Sequence, residues 1–275
     1  MIDATANGSV SPDEPGLPEG APSEPETPPD AEQRPDIDEI AGRYAAVRDR
    51  VAQACDACGR SKDDVAILLA AKFQEPERVV AALGGGARRL GHNYVQQLEA
   101  SEEWLSRTGA PPHRAHVIGH VQANKAAKAL QHAQCIETVD SVKLARRLDR
   151  LQAERVASGA ATAPFDIMLQ VNSSGAPSQF GLEPEALIDV AGQITELTNL
   201  RIAGLMIIGA HTPSAREVAA SFARARVLGE ELRAAGVASA TELSMGMTAD
   251  MEIAIAEGST QVRVGTAVFG PRPSY

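Results

Sequence analysis

Val65-Ala66-Ile67-Leu68-Leu69-Ala70-Ala71-Lys72 is an unbroken apolar run closed by a lysine. A run of that length, rich in branched residues, reads as a buried strand. Comparable runs recur at 88–91, 114–119, 134–139, 165–172, 201–209, 240–244 and 261–264. Helical stretches lie between them, at about 75–84, 93–106, 122–131, 141–157, 184–197, 214–235 and 249–257. Strands alternating with helices predict a parallel sheet with helical crossovers. Eight such units in about 240 residues fit an α/β fold of one closed (β/α)8 barrel, a TIM barrel, with an open doubly wound sheet as the alternative. Ile40, Tyr44, Val47 and Val51 mark one face of a further helix before the first strand, ending near Gly59. Gly84-Gly85-Gly86 falls between a helix and a strand, so it reads as a helix stop and not as a dinucleotide loop.

The charge divides the chain. The net charge is −10, and residues 1–40 hold eleven acids and one base, Arg34. The remainder is neutral, with 25 acids and 25 bases in the 36 and 26 of the whole chain. A neutral body gives no electrostatic footprint for nucleic acid. Residues 1–36 contain eight prolines and few large apolar groups, which predicts a disordered, acidic, proline-rich tail ahead of a barrel over 37–275. No apolar run is long enough to span a bilayer, and the N-terminus has neither the basic start nor the apolar segment of a secretory signal, so a cytoplasmic protein is expected. Cys55-Asp56-Ala57-Cys58 has C-x-x-C spacing, but it ends an amphipathic helix and no second pair or nearby histidine follows. Ordinary helix-face cysteines are the expectation.

Lys72 is the only one of the five lysines that ends an apolar strand. Lysine is seldom buried unless paired. One reading is a desolvated amine, nucleophilic enough to form a Schiff base with an aldehyde. The other is a side chain that extends out of the strand end into water. In a barrel, function gathers at the C-terminal strand ends. Those ends read Lys72; Gly91-His92-Asn93-Tyr94; Gly119-His120; Asp140; Asn172; Met206 to His211; Ser244-Met245-Gly246-Met247-Thr248; and Arg263-Val264-Gly265-Thr266.

The last two ends carry the most chemistry. Ser244 to Thr248 places a glycine and two hydroxyls at a predicted strand-to-helix junction, with Thr248 as the N-cap of the helix holding Met251, Ile253 and Ile255. Gly265-Thr266 follows the last strand in the same way. Loops after strands seven and eight of this fold commonly bind phosphate, which favours that reading over capping alone. Arg263 alternates with Val262 and Val264 and so faces the other way, where it needs an acceptor: a ligand ring nitrogen or a buried carboxylate. A Schiff-base lysine, a phosphate cradle and an arginine together describe a site for pyridoxal 5′-phosphate (PLP).

Here the chain also resembles a known family, the YggS/PROSC pyridoxal phosphate homeostasis proteins, over residues 37–271. The stretches that carry the resemblance are Leu68 to Lys72, Gly91 to Gln96, His116 to Lys125, Gly204-Leu205-Met206, Leu243 to Met251, and Gly258 to Gly270. The resemblance implies a barrel like the N-terminal domain of alanine racemase, with Lys72 as the cofactor lysine. It implies that Met247, Thr248, Gly265 and Thr266 hold the phosphate with Ser244 nearby, that Arg263 faces the pyridine nitrogen, and that Asn93 lines the pocket. An arginine there disfavours a protonated ring and weakens the cofactor as an electron sink, which suits a carrier better than a carbanion catalyst. The chain departs from the family where His92 replaces a usual Glu, where Gln74 and Gln179 stand at positions that are lysine in some members, and where Thr248 replaces Ser.

The expected function is therefore PLP storage and delivery in intracellular PLP homeostasis, with PLP and apo PLP-dependent enzymes as partners and without robust catalysis. An amino-acid racemase is the rival. It would need a second domain supplying an opposing acid/base tyrosine, and only nine residues follow Thr266. Among Tyr44, Tyr94 and Tyr275, only Tyr94 is near a strand end. A Schiff-base aldolase is the third reading. Missing the contacts of such a domain, the chain is expected to be a monomer. Metal binding by His113, His116, His120 and His132 is not expected on ligand-spacing grounds without matching carboxylates. Lys125 and Lys128 read as a solvated helix face, and Trp104 as a packed or half-packed helix residue.

Overall fold

The computed structural model describes residues 36–161, 164–173, 180–210 and 212–271. The tail expected over 1–36 lies outside the described residues except for Asp36, as do Gln179, His211 and Tyr275. Eight parallel strands close into one barrel in sequence order. They are β1 (Ala66–Ala70), β2 (Arg89–His92), β3 (Arg114–Val117), β4 (Cys135–Val139), β5 (Phe165–Gln170), β6 (Leu200–Met206), β7 (Glu242–Met247) and β8 (Gln261–Val264). β8 pairs back onto β1, with Leu68 opposite Arg263.

A helix precedes the barrel and others follow its strands: α1 (Ile37–Ala57), α2 (Pro76–Gly84), α3 (Val95–Arg107), α4 (Ala126–His132), α5 (Val142–Ala157), α6 (Leu187–Thr195), α7 (Ala215–Ala234), α8 (Met251–Ala256) and α9 (Thr266–Phe269). α1 starts where Asp36 accepts a hydrogen bond from the Ile37 amide, and its buried face is the predicted one, Ile40, Tyr44, Val47 and Val51. That face packs against α2, α8 and α9, so α1 covers the seam where β8 meets β1. Cys55 is buried and Cys58 exposed at the end of this helix, both as free thiols.

Strand alternation builds two apolar layers. The outward residues Ile67, Leu69, Ala71, Val262 and Val264 meet α1, α2 and α9 in one cluster. Ile136, Ile167, Leu169, Leu205 and Leu243 meet the remaining helices in another. Each fully buried Leu or Ile contributes about 1.5–3 kcal/mol relative to exposure. Inward residues at the N-terminal strand ends are ionic instead. Arg89 bonds Glu242 at 2.8 Å and Gln261 at 2.6 Å, while Asp166 accepts from Arg201 at 2.6 Å and Arg114 at 3.0 Å. These contacts plug the bottom of the barrel and leave the top open.

The expectation for β7 is corrected at both ends. The strand was expected at 240–244, but it begins at Glu242 and continues through Met247. Gly246, at φ 92, sits in a register shift between Ser244 and Met247 against β8, so the glycine makes a bulge inside the strand and does not end it. Thr248 is consequently not the helix N-cap. That position is Asp250, whose carboxylate accepts from the Met247 amide.

Beside β3, Glu102 of α3 sits 3.0 Å from His113 and 3.7 Å from His92. Burial pushes the Glu102 carboxyl up, but the His113 hydrogen bond and the neighbouring His113 and His92 hold it below its ordinary value. The Glu102 hydrogen bond raises His113, with burial opposing it and the Pro111 carbonyl helping. The histidine contribution is full below its unfolded value of about 6.5 and fades as pH rises through the raised folded value. The glutamate contribution is full above about 4.3 and fades as pH falls through the depressed value. The stability gap between wild type and His113→Gln is therefore expected to be widest between about pH 4.3 and 6.5 and to shrink above neutrality. Thermal melts across that range check it, and a gap that grows towards pH 9 would refute the assignment.

Candidate functional site

The open end of the barrel is a cleft of about 430 Å³. Lys72, Asn93, Met247, Thr248, Arg263, Gly265 and Thr266 all line it, as the sequence predicts, together with Ala70, Gln74, Ile118, Met206, Ile208, Ala249 and Gly270. Ser244 does not line it. It is fully buried one layer below, on the inner face of β7. The walls between the polar ends are Ala70, Ile118, Met206 and Ile208, a shape suited to a flat ring.

Lys72 stands two residues past the end of β1 and is half-buried, between the desolvated reading and the one that extends it into water. Its Nζ lies 5.1 Å from the ring centroids of both Phe73 and Tyr94. Those two rings are themselves 5.9 Å apart. Phe73 has φ 58, the only positive value among described non-glycine residues. This left-handed turn, uncommon for a bulky residue, swings the chain sharply away from the strand. The turn is braced from below. Gln74 donates to the Lys72 carbonyl at 3.4 Å and accepts from Arg78 at 3.3 Å, and Arg78 also donates to the Phe269 carbonyl at 2.6 Å. Gln74 thus ties the Lys72 loop, through Arg78, to α2 and α9.

Opposite the lysine loop, the turns after β7 and β8 bring Thr248 and Thr266 to the same cleft. A Cβ on Gly246 would sit 2.5 Å from Ala254 Cβ, so the bulge needs its glycine. Arg50 of α1 donates to the Thr248 carbonyl at 3.3 Å while paired with Glu252 at 2.6 Å, which fixes the first turn from outside. Asn93 is fixed by close approach: a Cβ on Gly119 would fall on the Asn93 backbone.

Arg263 is 7% exposed, and its direct protein partners are neutral groups and not the buried carboxylate. Nη1 donates to the Ser244 carbonyl at 2.6 Å and to Ser244 Oγ at 2.9 Å, and Nη2 donates to the Ile207 carbonyl at 2.7 Å. The buried carboxylate lies one step further. Ser244 Oγ donates to Glu137 Oε2 at 2.6 Å, Gln261 donates to Glu137 Oε1 at 2.7 Å, and His116 Nδ1 is 2.6 Å from Glu137 Oε1. Burial pushes Glu137 up, yet His116, Arg263 and Ser244 outweigh it and hold the carboxyl below its ordinary range. Burial lowers the Arg263 guanidinium, opposed by Glu137 and Asp250. Glu137 is a residue that sequence reasoning passed over. The available signal was a carboxylate in the middle of an apolar strand, alternating onto the same face as Cys135.

Other residues have structural places. His120 is exposed, 3.8 Å from Asp140 and stacked on Phe180. Lys128 pairs with Glu99 at 2.7 Å on the outer surface, and Trp104 half-packs beside α1 and α2. Glu99, Glu103 and His132 do bring carboxylates to a histidine, within 4.8 Å of one another. No helix of the described residues is long and apolar enough to cross a membrane.

Comparison with known proteins agrees with this geometry. Residues 36–273 match the family described as alanine racemase, N-terminal domain. The pyridoxal phosphate homeostasis protein of Pseudomonas aeruginosa is 37% identical over 233 residues, covering 85% of this chain and 96% of that one. Its Escherichia coli K12 counterpart is 34% identical over 244 residues, covering 86% and 98%. The solved structure of PipY from Synechococcus elongatus with PLP bound superposes with TM-score 0.72 at 34% identity, over 84% of this chain and all (100%) of that one. With an alanine-racemase-type barrel, a lysine and an arginine at its open end, and relatives matched over nearly their whole length, the chain belongs to the family of pyridoxal phosphate homeostasis proteins.

Proposed function

We propose that this protein binds PLP in the barrel-mouth cleft through a Schiff base on Lys72 and acts in PLP homeostasis, storing and delivering the cofactor without robust catalysis. The observation that carries the reading is the meeting of Lys72, Arg263, Thr248 and Thr266 around one apolar-walled cleft. These residues fit the group. Lys72 would hold the cofactor, its amine being the group that can condense with an aldehyde with loss of water. Thr248 and Thr266 would supply hydroxyls for the phosphate beside the Gly265 turn, and Met247 would line the same turn, its own amide already donating to Asp250. Arg263 would face the ring nitrogen and Asn93 would line the pocket. Bound PLP supplies an aldehyde and an electron-sink ring. Arg263, a cation fixed by carbonyls, would oppose protonation of that ring and so blunt the sink.

The racemase alternative has one point of support, Tyr94, whose ring contacts Lys72 Nζ at 5.1 Å. However, Tyr94 is 48% exposed and does not line the cleft. A racemase rate lost in Tyr94→Phe would restore that reading. The partners inferred are PLP and apo PLP-dependent enzymes, with the protein acting as a cytoplasmic monomer. The direct test is the absorption spectrum of wild-type protein with added PLP. A visible band bleached by borohydride is expected, and a protein that stays colourless overturns the proposal.

A further inference from the structure

Inside the barrel lies a set of buried polar groups that the binding reading does not use. His116 and Glu137 are 1% and 0% exposed, and Ser244 and Gln261 are both at 0%. They come from β3, β4, β7 and β8, so the set spans the interior directly below the cleft. A buried carboxylate survives only when paired and hydrogen-bonded. Glu137 meets that condition three times over, from His116, Ser244 and Gln261. Since Glu137 is held ionised, His116 Nδ1 carries the proton between them.

Arg263 is the other charge. Its direct acceptors are two carbonyls and one hydroxyl, all neutral. Its counter-charge is Glu137, reached through the Ser244 hydroxyl, which accepts from Arg263 and donates to Glu137. One side of the guanidinium is therefore anchored downward, while the residue also lines the cleft above. Arginine carries five N–H donors in a rigid fork, so fixing Nη1 and Nη2 fixes the whole plane.

We propose that Ser244, Glu137 and His116 are positioning residues for the cleft: they hold the Arg263 guanidinium and compensate its charge, so that it meets a cofactor ring nitrogen as a fixed cation. This rests on the reading that PLP occupies the cleft. Ser244 thus acts through Arg263, not on the phosphate. Gln261 completes the set by donating to both Glu137 and Ser244 Oγ, at 2.7 and 3.1 Å, which orients the hydroxyl proton towards Glu137.

The test uses full-length wild type, Ser244→Ala, Glu137→Gln and, as a stability control, Asp166→Asn, which breaks the ionic plug at the opposite end of the barrel. Each is loaded with PLP, and the visible band is followed against pH and against dilution into a PLP scavenger. In Ser244→Ala and Glu137→Gln the pH at which the band changes is expected to move by about one unit, and PLP release to quicken about tenfold, the same energy. Asp166→Asn should lower the thermal midpoint while leaving both readouts at wild-type values. Ser244→Ala removes a single hydroxyl and keeps the question open to measurement if Glu137→Gln does not fold. A coloured wild type with an unchanged band and release rate in Ser244→Ala overturns the positioning role alone. A colourless wild type overturns the cofactor reading, and this proposal with it.

Discussion

Lys72→Ala is expected to abolish the visible PLP band and to weaken PLP binding by about 100-fold or more, about 2.7 kcal/mol. The band needs a carbon–nitrogen double bond to a primary amine, and no other lysine lines the cleft among the described residues. Lys125 ends the short 3₁₀ turn after β3 and Lys128 lies on α4, paired to Glu99 on the surface. Residual binding should persist, because the hydroxyls of Thr248 and Thr266 and the Arg263 cation stay in place. Lys72→Arg should behave like the alanine variant in colour: it keeps a charge between the Phe73 and Tyr94 rings but has no amine to condense. Titration of PLP into each variant, followed by absorbance and by equilibrium dialysis, checks both parts. A borohydride-stable adduct in Lys72→Ala would place the covalent bond elsewhere and refute the assignment.

The legibility of this site in the sequence follows from which forces are local. Lys72, Thr248, Arg263 and Thr266 could be found because strand alternation and the open end of a (β/α)8 barrel are set by short-range pattern and fold geometry. The partner of Arg263 could not. Glu137 sits on β4 and Arg263 on β8, and only closure of the barrel brings the two near one serine. The bulge at Gly246 misled for a different reason. A glycine between two methionines reads as a strand end, whereas its positive φ keeps the strand running to Met247 and leaves the Thr248 side chain out of the capping role. Phe73 gave no warning either, since a left-handed phenylalanine is held by its surroundings, here the Gln74–Arg78–Phe269 brace, and not by its own preference.

The same close packing makes Gly204 the most tightly enclosed of the described glycines. Gly204 faces Glu242 across the β6–β7 ladder, and a Cβ built there would fall on the Glu242 carbonyl. That atom is backbone, so no side chain can rotate away to make room. β6 and β7 would have to part, yet Glu242 is held to Arg89 at 2.8 Å and Leu205 and Leu243 are buried beside the junction. Separating them opens the ladder beneath Ser244 and Met206, which are paired two residues further along. Overpacking of a rigid core costs about 1–3 kcal/mol, and a clash with backbone belongs at or above the top of that range. For Gly204→Val the expected loss is about 3 kcal/mol or more, a fall in thermal midpoint of about 6–12 °C for a barrel of this size. The contrast is Gly192, where a Cβ meets nothing within 4 Å, on helix α6. Gly192→Ala should stabilise by about 0.4–1 kcal/mol, since alanine has less unfolded-state freedom to lose and prefers the helix. Paired thermal melts decide the matter. Equal midpoints for Gly204→Val and wild type would mean that the β6–β7 register can yield, and would remove the argument that this junction holds the floor of the cleft in place.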